Sequence, residues 1–264
     1  MIGVTSHLNM RGRQSVLVFR LSLLASCMCL LASWMVRADQ NQFDNANKLF
    51  EQGQYEQSIE QYQALLDAGT QTAAVHFNLG NAWFRQGNIG QSVYHYLMAQ
   101  SLDPLDPDIS ANLRFARDSA GLPSGGIVSP LYQWIRKIPL NAWAALTLAP
   151  LWIFCLFKTV GFYRASLAEK TESIRSVAGW LTVPGMILLG LIGWMVQSHH
   201  PGVIVQDKAE LHASPFSDSK VLVEMKAGEE VMLMAVKNQW QQIKNSNGDL
   251  GWLESSKLKS IPIQ

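Results

Sequence analysis

Asn78-Leu79-Gly80-Asn81-Ala82-Trp83, followed by Gly87-Asn88, Ser92, Tyr96, Ala99 and Asp103-Pro104, is the stretch on which the reading of this chain turns. Stepping back 34 positions brings up Asn45-Ala46-Asn47-Lys48-Leu49, Gly53-Gln54-Tyr55, Ser58, Tyr62 and Leu65, in register and without a gap. A period of that length suits a helical hairpin that buries its apolar face by stacking on the next copy. Leu79 and Trp83 lie four apart and so share one helix face. Gly80 makes room where the two helices of a pair come closest. Gly87-Asn88 makes the turn, glycine supplying a positive φ. Tyr96 and Ala99 pack from the second helix, and Pro104 stops it. A fifth helix follows from Asp108 to Ala120. Its Ile109, Leu113 and Ala116 stripe covers the second repeat, which leaves Arg114, Arg117 and Asp118 to face water as on a terminal cap. Gly121-Leu122-Pro123-Ser124-Gly125-Gly126 then opens a linker.

The second copy closely resembles the tetratricopeptide repeat. That resemblance implies a concave groove, lined by the first helix of each pair, that binds peptides or partner proteins. The groove positions are then Phe43, Asn47 and Phe50 from the first repeat, Phe77, Asn81, Phe84 and Arg85 from the second, and Phe115 from the cap helix. Asn47 and Asn81 are equivalent in register, and their amides can hydrogen-bond both edges of a peptide backbone. The competing reading makes the phenylalanines inter-repeat core. Four of them with two amides on one face favour the groove.

Residues 203–262 read as all-β. Short apolar runs at Val203–Val205, Val221–Val223, Val231–Val236, Trp240–Ile243 and Leu250–Leu253 are separated by Ser214-Pro215, Ala227-Gly228, Lys237-Asn238 and Asn247-Gly248. Asn-Gly between apolar runs is a strong hairpin signal. The spacing predicts a small barrel of six short strands. Ala209-Glu210-Leu211-His212-Ala213-Ser214-Pro215, Trp240-Gln241-Gln242-Ile243 and Gly248-Asp249-Leu250-Gly251-Trp252-Leu253 together resemble the bacterial SH3-like domain. The resemblance implies binding of cell-wall peptides or proteins, with Trp240 and Trp252 either as a platform or as core. His212 stands where that family usually carries arginine. His199, His200 and His212 have no acid at ligand spacing, so no metal site is expected.

Between these modules lie two uncharged runs, Ile138 to Phe157 and Ser176 to Ser198. Each is long enough to cross a hydrocarbon core of about 30 Å. Trp134, Trp143, Trp180 and Trp194 sit near the ends, where indole prefers the interface. Pro150 and Pro184 fall mid-span and predict kinks. Lys158, Arg164, Lys170 and Arg175 in the intervening loop place it on the cytoplasmic side. Residues 1–38 read as a signal peptide: Arg11, Arg13 and Arg20 precede the apolar stretch Leu21 to Val36, with a cleavage site at Val36-Arg37-Ala38. A lipoprotein box ending at Cys27, or an uncleaved anchor, are the alternatives.

The expected layout is therefore a signal peptide (1–38), an all-α repeat of two hairpins plus cap helix (39–120), a linker (121–137), a first transmembrane helix (138–160), a cytoplasmic loop (161–175), a second transmembrane helix (176–198) and an SH3-like barrel (203–262). The whole is a two-pass bacterial inner-membrane protein with both modules in the periplasm, tethered separately. A formal net charge of +1 offers no polyanion signal, so nucleic acid is not expected. Residues 39–120 are acidic, with ten acids against four bases. No nucleophile with a base, no paired carboxylates in an apolar setting and no phosphate loop stand out, so neither an enzyme nor a cofactor is expected.

The combination, with Asp106-Pro107-Asp108-Ile109-Ser110-Ala111-Asn112-Leu113 after the second repeat, is similar to the BatE-type proteins of the bacterial aerotolerance (Bat) group. That likeness implies an accessory role beside von Willebrand A-type Bat proteins and, indirectly, a MoxR-type ATPase. A cell-wall sensor or anchor acting through the SH3-like module on peptidoglycan is the second function class. The topology has a direct check. A cysteine at Ser166 is expected to be shielded from impermeant thiol reagents in spheroplasts, while cysteines at Ser119 or Ser256 are labelled; labelling at Ser166 alone would reverse the orientation.

Overall fold

A computed structural model of the chain describes residues 39–123, 135, 138, 140–163, 171–198 and 200–261. The expected signal peptide with its Cys27 alternative, most of the linker, the centre of the basic loop and His199 lie outside the described residues. The chain divides into two compact units, residues 1–71 and residues 72–264.

In the first unit, helix α1 spans residues 39–51 and α2 spans Tyr55–Asp67. Gly53 ends α1 with φ +76. Its amide and that of Gln54 donate back to the Phe50 and Leu49 carbonyls, the closing pattern of a left-handed helix end. Ala46, Ile59, Tyr62 and Leu65 are buried where α1 and α2 meet. Buried Ser58 donates to the Ala46 carbonyl across the same contact.

The second unit opens with the register-equivalent hairpin, α3 (Ala73–Arg85) and α4 (Ile89–Leu102). Thr72 caps α3 by accepting from the Val75 amide. Gly87, with φ +83, ends α3, its amide and that of Asn88 donating to Phe84 and Trp83. The turn is thus the same, bond for bond, as the one 34 residues earlier. Asn88 then caps α4 through the Gln91 amide. A methyl on Gly80 would lie 2.8 Å from the Tyr96 ring, so the bare backbone is what lets Tyr96 pack there. Helix α5 (Pro107–Ser119) follows, capped by Asp106 on the Asp108 and Ile109 amides with Pro107 in the first turn. Ile109, Leu113 and Ala116 are buried, as the stripe requires.

Two long apolar helices come next, α6 (Leu140–Tyr163) and α7 (Glu172–Ser198). Both are long and apolar enough to cross a membrane. Pro150 and Pro184 sit inside them, and the helices run on past both. Trp143 clusters with Ile192, Gly185 abuts the Thr147 carbonyl, and Gly179 faces Phe154. Rising positions on α6 thus meet falling positions on α7, so the pair is antiparallel. Trp152 and Trp180 are 71% and 82% exposed on this pair.

The β module has seven strands: β1 (Pro201–Ile204), β2 (Ala209–His212), β3 (Val221–Met225), β4 (Glu230–Lys237), β5 (Trp240–Lys244), β6 (Leu250–Glu254) and β7 (Leu258–Ser260). They form one sheet in the order β3-β2-β6-β5-β4-β1-β7, every neighbouring pair antiparallel. Gly228 and Asn238 take positive φ in turns anticipated from sequence. In the β5–β6 turn the buried Asn245 side chain accepts from the Asn247 and Asp249 amides while Gly248 takes φ +94. The Asn-Gly signal is therefore part of a longer turn held by Asn245.

The separately tethered modules expected from the linker are not what is seen. The β module packs directly on α4 and α5. Successive residues of β1 face opposite ways. Ile204 enters the core of the sheet with Leu211, Met225, Val231, Ile243 and Leu253. Val203 enters the helical core with Val93, Tyr96, Met98, Leu113 and Ala116, joined by Ile261. Arg117, expected in water, is instead 9% exposed and pairs with Glu230 of β4. The β module lies over that flank of α5, and a buried guanidinium needs a carboxylate there. Lys259 of β7 donates to Gln91 and lies 4.8 Å from the Tyr94 ring centroid.

Gly90 tests this contact. A methyl there would sit 2.7 Å from the Val205 carbonyl oxygen and 2.8 Å from its Cα, both backbone atoms. Gly90→Ala is expected to cost about 1–3 kcal/mol of stability. Amide exchange should quicken in β1 and β7 and stay unchanged in α1 and α2. Unchanged exchange at β1 would mean the contact does not hold in solution.

Candidate interaction surfaces

Positions four and three apart on a helix point the same way, and the groove residues follow that rule in both units. In the first unit Phe43, Asn47 and Phe50 lie along α1, all half-buried. Phe43 tilts against Tyr62 and Phe50 against Tyr55, with ring centroids 5.9 and 5.4 Å apart. The Tyr62 hydroxyl donates to Asn47 Oδ1.

The second unit repeats the arrangement. Phe77, Asn81 and Phe84 are half-buried along α3, with Arg85 exposed at its end. Phe77 tilts against Tyr96 at 6.0 Å, and the Tyr96 hydroxyl donates to Asn81 Oδ1 at 2.6 Å. Desolvation pushes the Tyr96 hydroxyl up to about 12, so it stays a donor at any physiological pH. Helix α5 adds Asn112, whose amide reaches Asn81 Oδ1 at 3.4 Å, and Phe115, whose ring stands 5.4 Å from that of Phe84. Phe115 is 61% exposed.

Two consequences follow. The oxygen of each register-equivalent asparagine accepts from the tyrosine of its own hairpin, so what Asn81 offers outward is the Nδ2 donor edge. A ligand matching Asn81 must therefore present an acceptor, as a peptide carbonyl does. The phenylalanines are also not alike. Phe77 and Phe84 are half-buried, whereas Phe115 is mostly exposed.

On the β module, Trp240 is buried and meets His212 edge-on at 5.2 Å. Ser219 is beside the His212 ring, its carbonyl 3.2 Å from Nδ1. Trp252 is half-buried, paired in register with Gln242 and His212. The two tryptophans thus hold different positions, and Trp240 belongs to the packed interior.

Reasoning from sequence missed the cleft beside it. Pro215, Phe216, Ser217 and Asp218 form one wall, Asn238, Gln239 and Trp240 the other, around a space of about 380 Å³. Phe216 is exposed, and Lys237 Nζ lies 5.8 Å from its ring centroid. Ser214-Pro215 and Lys237-Asn238 were legible only as separate turns. The sheet brings them together, because β2 pairs with β6 and β6 with β5. Among the described residues no group of three or more metal-ligating side chains converges.

Comparison with known proteins agrees with this division. The family model of the tetratricopeptide repeat matches residues 43–107. That of the bacterial SH3 domain matches residues 205–259. No curated protein matches the chain. Both matched families are modules of protein–protein interaction, and the SH3 type extends to the cell wall. The chain thus carries a tetratricopeptide-like helical region and a bacterial SH3-like sheet region on either side of two apolar helices.

Phe115 and Trp240 give opposite expectations. Phe115→Ala removes a mostly exposed ring and should change stability by about 0.5 kcal/mol or less, while weakening partner capture. Trp240→Ala empties a packed position and should cost about 3–5 kcal/mol. Thermal melts of both variants decide; equal losses would place Phe115 in the core.

Proposed function

We propose that this chain is a non-enzymatic, two-pass inner-membrane adaptor that assembles partner proteins on the periplasmic side. The observation that carries the reading is the position of α6 and α7. Two antiparallel apolar helices with exposed tryptophans lie in sequence between two modules that are packed on each other. Antiparallel helices return the chain to the side it left, and contact between the modules requires them to share a side. Lipid is the solvent that suits the exposed surface of such a pair. The basic loop supplies the orientation.

The partner-binding element in this reading is the face of α3 and α5 with Phe84, Phe115, Arg85 and the Asn81 donor edge. An aromatic pair beside an arginine is the composition of an interface hot spot. Resemblance to BatE-type proteins points to von Willebrand A-type Bat membrane proteins as the partners, with a MoxR-type ATPase reached through them. A second reading rests on the Phe216 cleft. Its hydroxyl, amide and carboxylate lining beside one aromatic ring suits a short polar ligand such as a peptidoglycan stem peptide.

Affinity purification of the full chain from crosslinked membranes tests the two together. The adaptor reading expects von Willebrand A-type membrane proteins to co-purify, with recovery falling about tenfold or more in a Phe115→Ala, Arg85→Ala double variant, the effect of losing about 1.4 kcal/mol. Binding to isolated sacculi that is lost in Phe216→Ala, with no such co-purification, would replace it by the wall reading.

A further inference from the structure

The contact between the β module and the repeat contains a group of side chains that neither binding surface uses. His76 of α3 and His95 of α4 face each other, Nδ1 to Nδ1, at 3.0 Å. Their rings stack at 5.3 Å, and Tyr94 meets His95 edge-on at 4.9 Å. Both histidines are buried. Lys259 lies alongside, delivered by β7, the strand at the edge of the sheet. Its ammonium touches the Tyr94 ring and the Gln91 side-chain oxygen. It is the charged group that acts on both imidazoles.

We propose that this contact is an acid-released clamp: the β module stays seated on α4 while His76 and His95 are neutral, and lets go when the pair takes up a proton beside the Lys259 ammonium.

Proton bookkeeping in the pair explains why. Two nitrogens 3.0 Å apart share one hydrogen, so one imidazole donates and the other accepts. Among the described residues, His95 Nε2 is buried without a partner. An unpaired buried acceptor is tolerated better than an orphaned N–H, which makes His95 the Nδ1–H donor and His76 the acceptor. A second proton has no good place. On His76 Nδ1 it sets two N–H groups against each other. On His95 Nε2 it puts a cation into an apolar site. Either way the new charge faces Lys259, and the neighbours Gln91 and Tyr94 are uncharged.

The pair is accordingly hard to protonate. Burial first, and Lys259 second, hold His76 down to about 4 against an ordinary value of 6.5. Burial, then His76, then Lys259 hold His95 well below the same value. A folded value below the unfolded one means that the released form binds more protons in the interval between them. The stabilisation is therefore complete above about pH 6.5 and is lost as pH falls towards about 4. Undocking removes that repulsion, because Lys259 belongs to the module that leaves and returns its own charge to water, at the cost of exposing the Val203 and Ile261 contacts. Desolvation already lowers the Lys259 amine from its ordinary value, so release relieves that strain too.

The experiment uses the full chain in nanodiscs. Cys27, Cys29 and Cys155 are replaced by serine, and spin labels are placed through Ser119→Cys on α5 and Ser256→Cys on the β module, both exposed. Distances are measured from about pH 7.5 to about pH 4, with circular dichroism in parallel. A narrow distribution at neutral pH that lengthens and broadens reversibly on acidification, with the helix signal kept, supports the clamp. Lys259→Met should move the midpoint to lower pH, because without the like charge the seated pair takes up its proton more readily. His76→Gln with His95→Gln should abolish the transition; should that variant fail to fold, Lys259→Met decides. An unchanged distribution down to about pH 4, the same midpoint with and without Lys259, or loss of the helix signal together with the distance change would each overturn the proposal.

Discussion

One strand holds the second unit together. Side chains alternate along β1, so Val203 faces the α4–α5 core while Ile204 faces the interior of the sheet. A strand four residues long thus belongs to two hydrophobic cores at once, and neither can shift without the other. The approach this demands is very close. Gly90 carries no side chain where Val205 passes, and Gly228 carries none where Leu122, Ile89 and Val93 press on the turn. Once the backbones meet at that distance, the rim must satisfy its charges locally, which accounts for the Arg117–Glu230 pair and for Lys259 on Tyr94 and Gln91.

Rigid attachment changes what two interaction modules can do. Modules on a flexible tether act by raising each other's local concentration. Modules packed through a shared core instead present fixed surfaces to a common partner. The Phe84–Phe115 pair and the Phe216 cleft are then held in one relation for as long as β1 is seated, with less ordering to lose on binding. The histidine pair lies in that same contact. The structural joint and the pH-responsive group are one place.

The internal symmetry of the repeat is exact enough to be instructive where it breaks. Gly53 and Gly87 make the same turn, and Tyr62 and Tyr96 hold the same asparagine oxygen. One break lies at His95, whose counterpart 34 positions earlier is Gln61. The repeat pattern has no need of a histidine there. Its neighbours are His76 and Tyr94, and the β module's Lys259 acts on it, so the departure from the pattern falls on the side of the hairpin that the β module covers.

Sequence alone determined the parts whose causes are local. The 34-residue register, the glycine turns, the apolar stripe of α5, the two apolar helices and the strands between turn residues all follow from periodicity and from backbone preferences a few residues wide. That Phe77, Asn81 and Phe84 share one helix face follows from the same periodicity, whereas their assignment to a groove came from the resemblance to the tetratricopeptide repeat. What each residue there is free to do was not legible: the Asn81 oxygen is occupied by Tyr96, fifteen positions away, and by Asn112, thirty-one away. Tertiary structure alone decided that Arg117 is buried, that Pro215 and Asn238 wall one cleft, and that Lys259 acts on two buried histidines. Each of these joins residues from separate elements, and Arg117 and Glu230 are 113 positions apart. Helical or strand periodicity reports which face of an element is apolar, but not which distant element covers it. That choice is made by shape and close packing, here by a strand apolar on both faces and a glycine that lets it in.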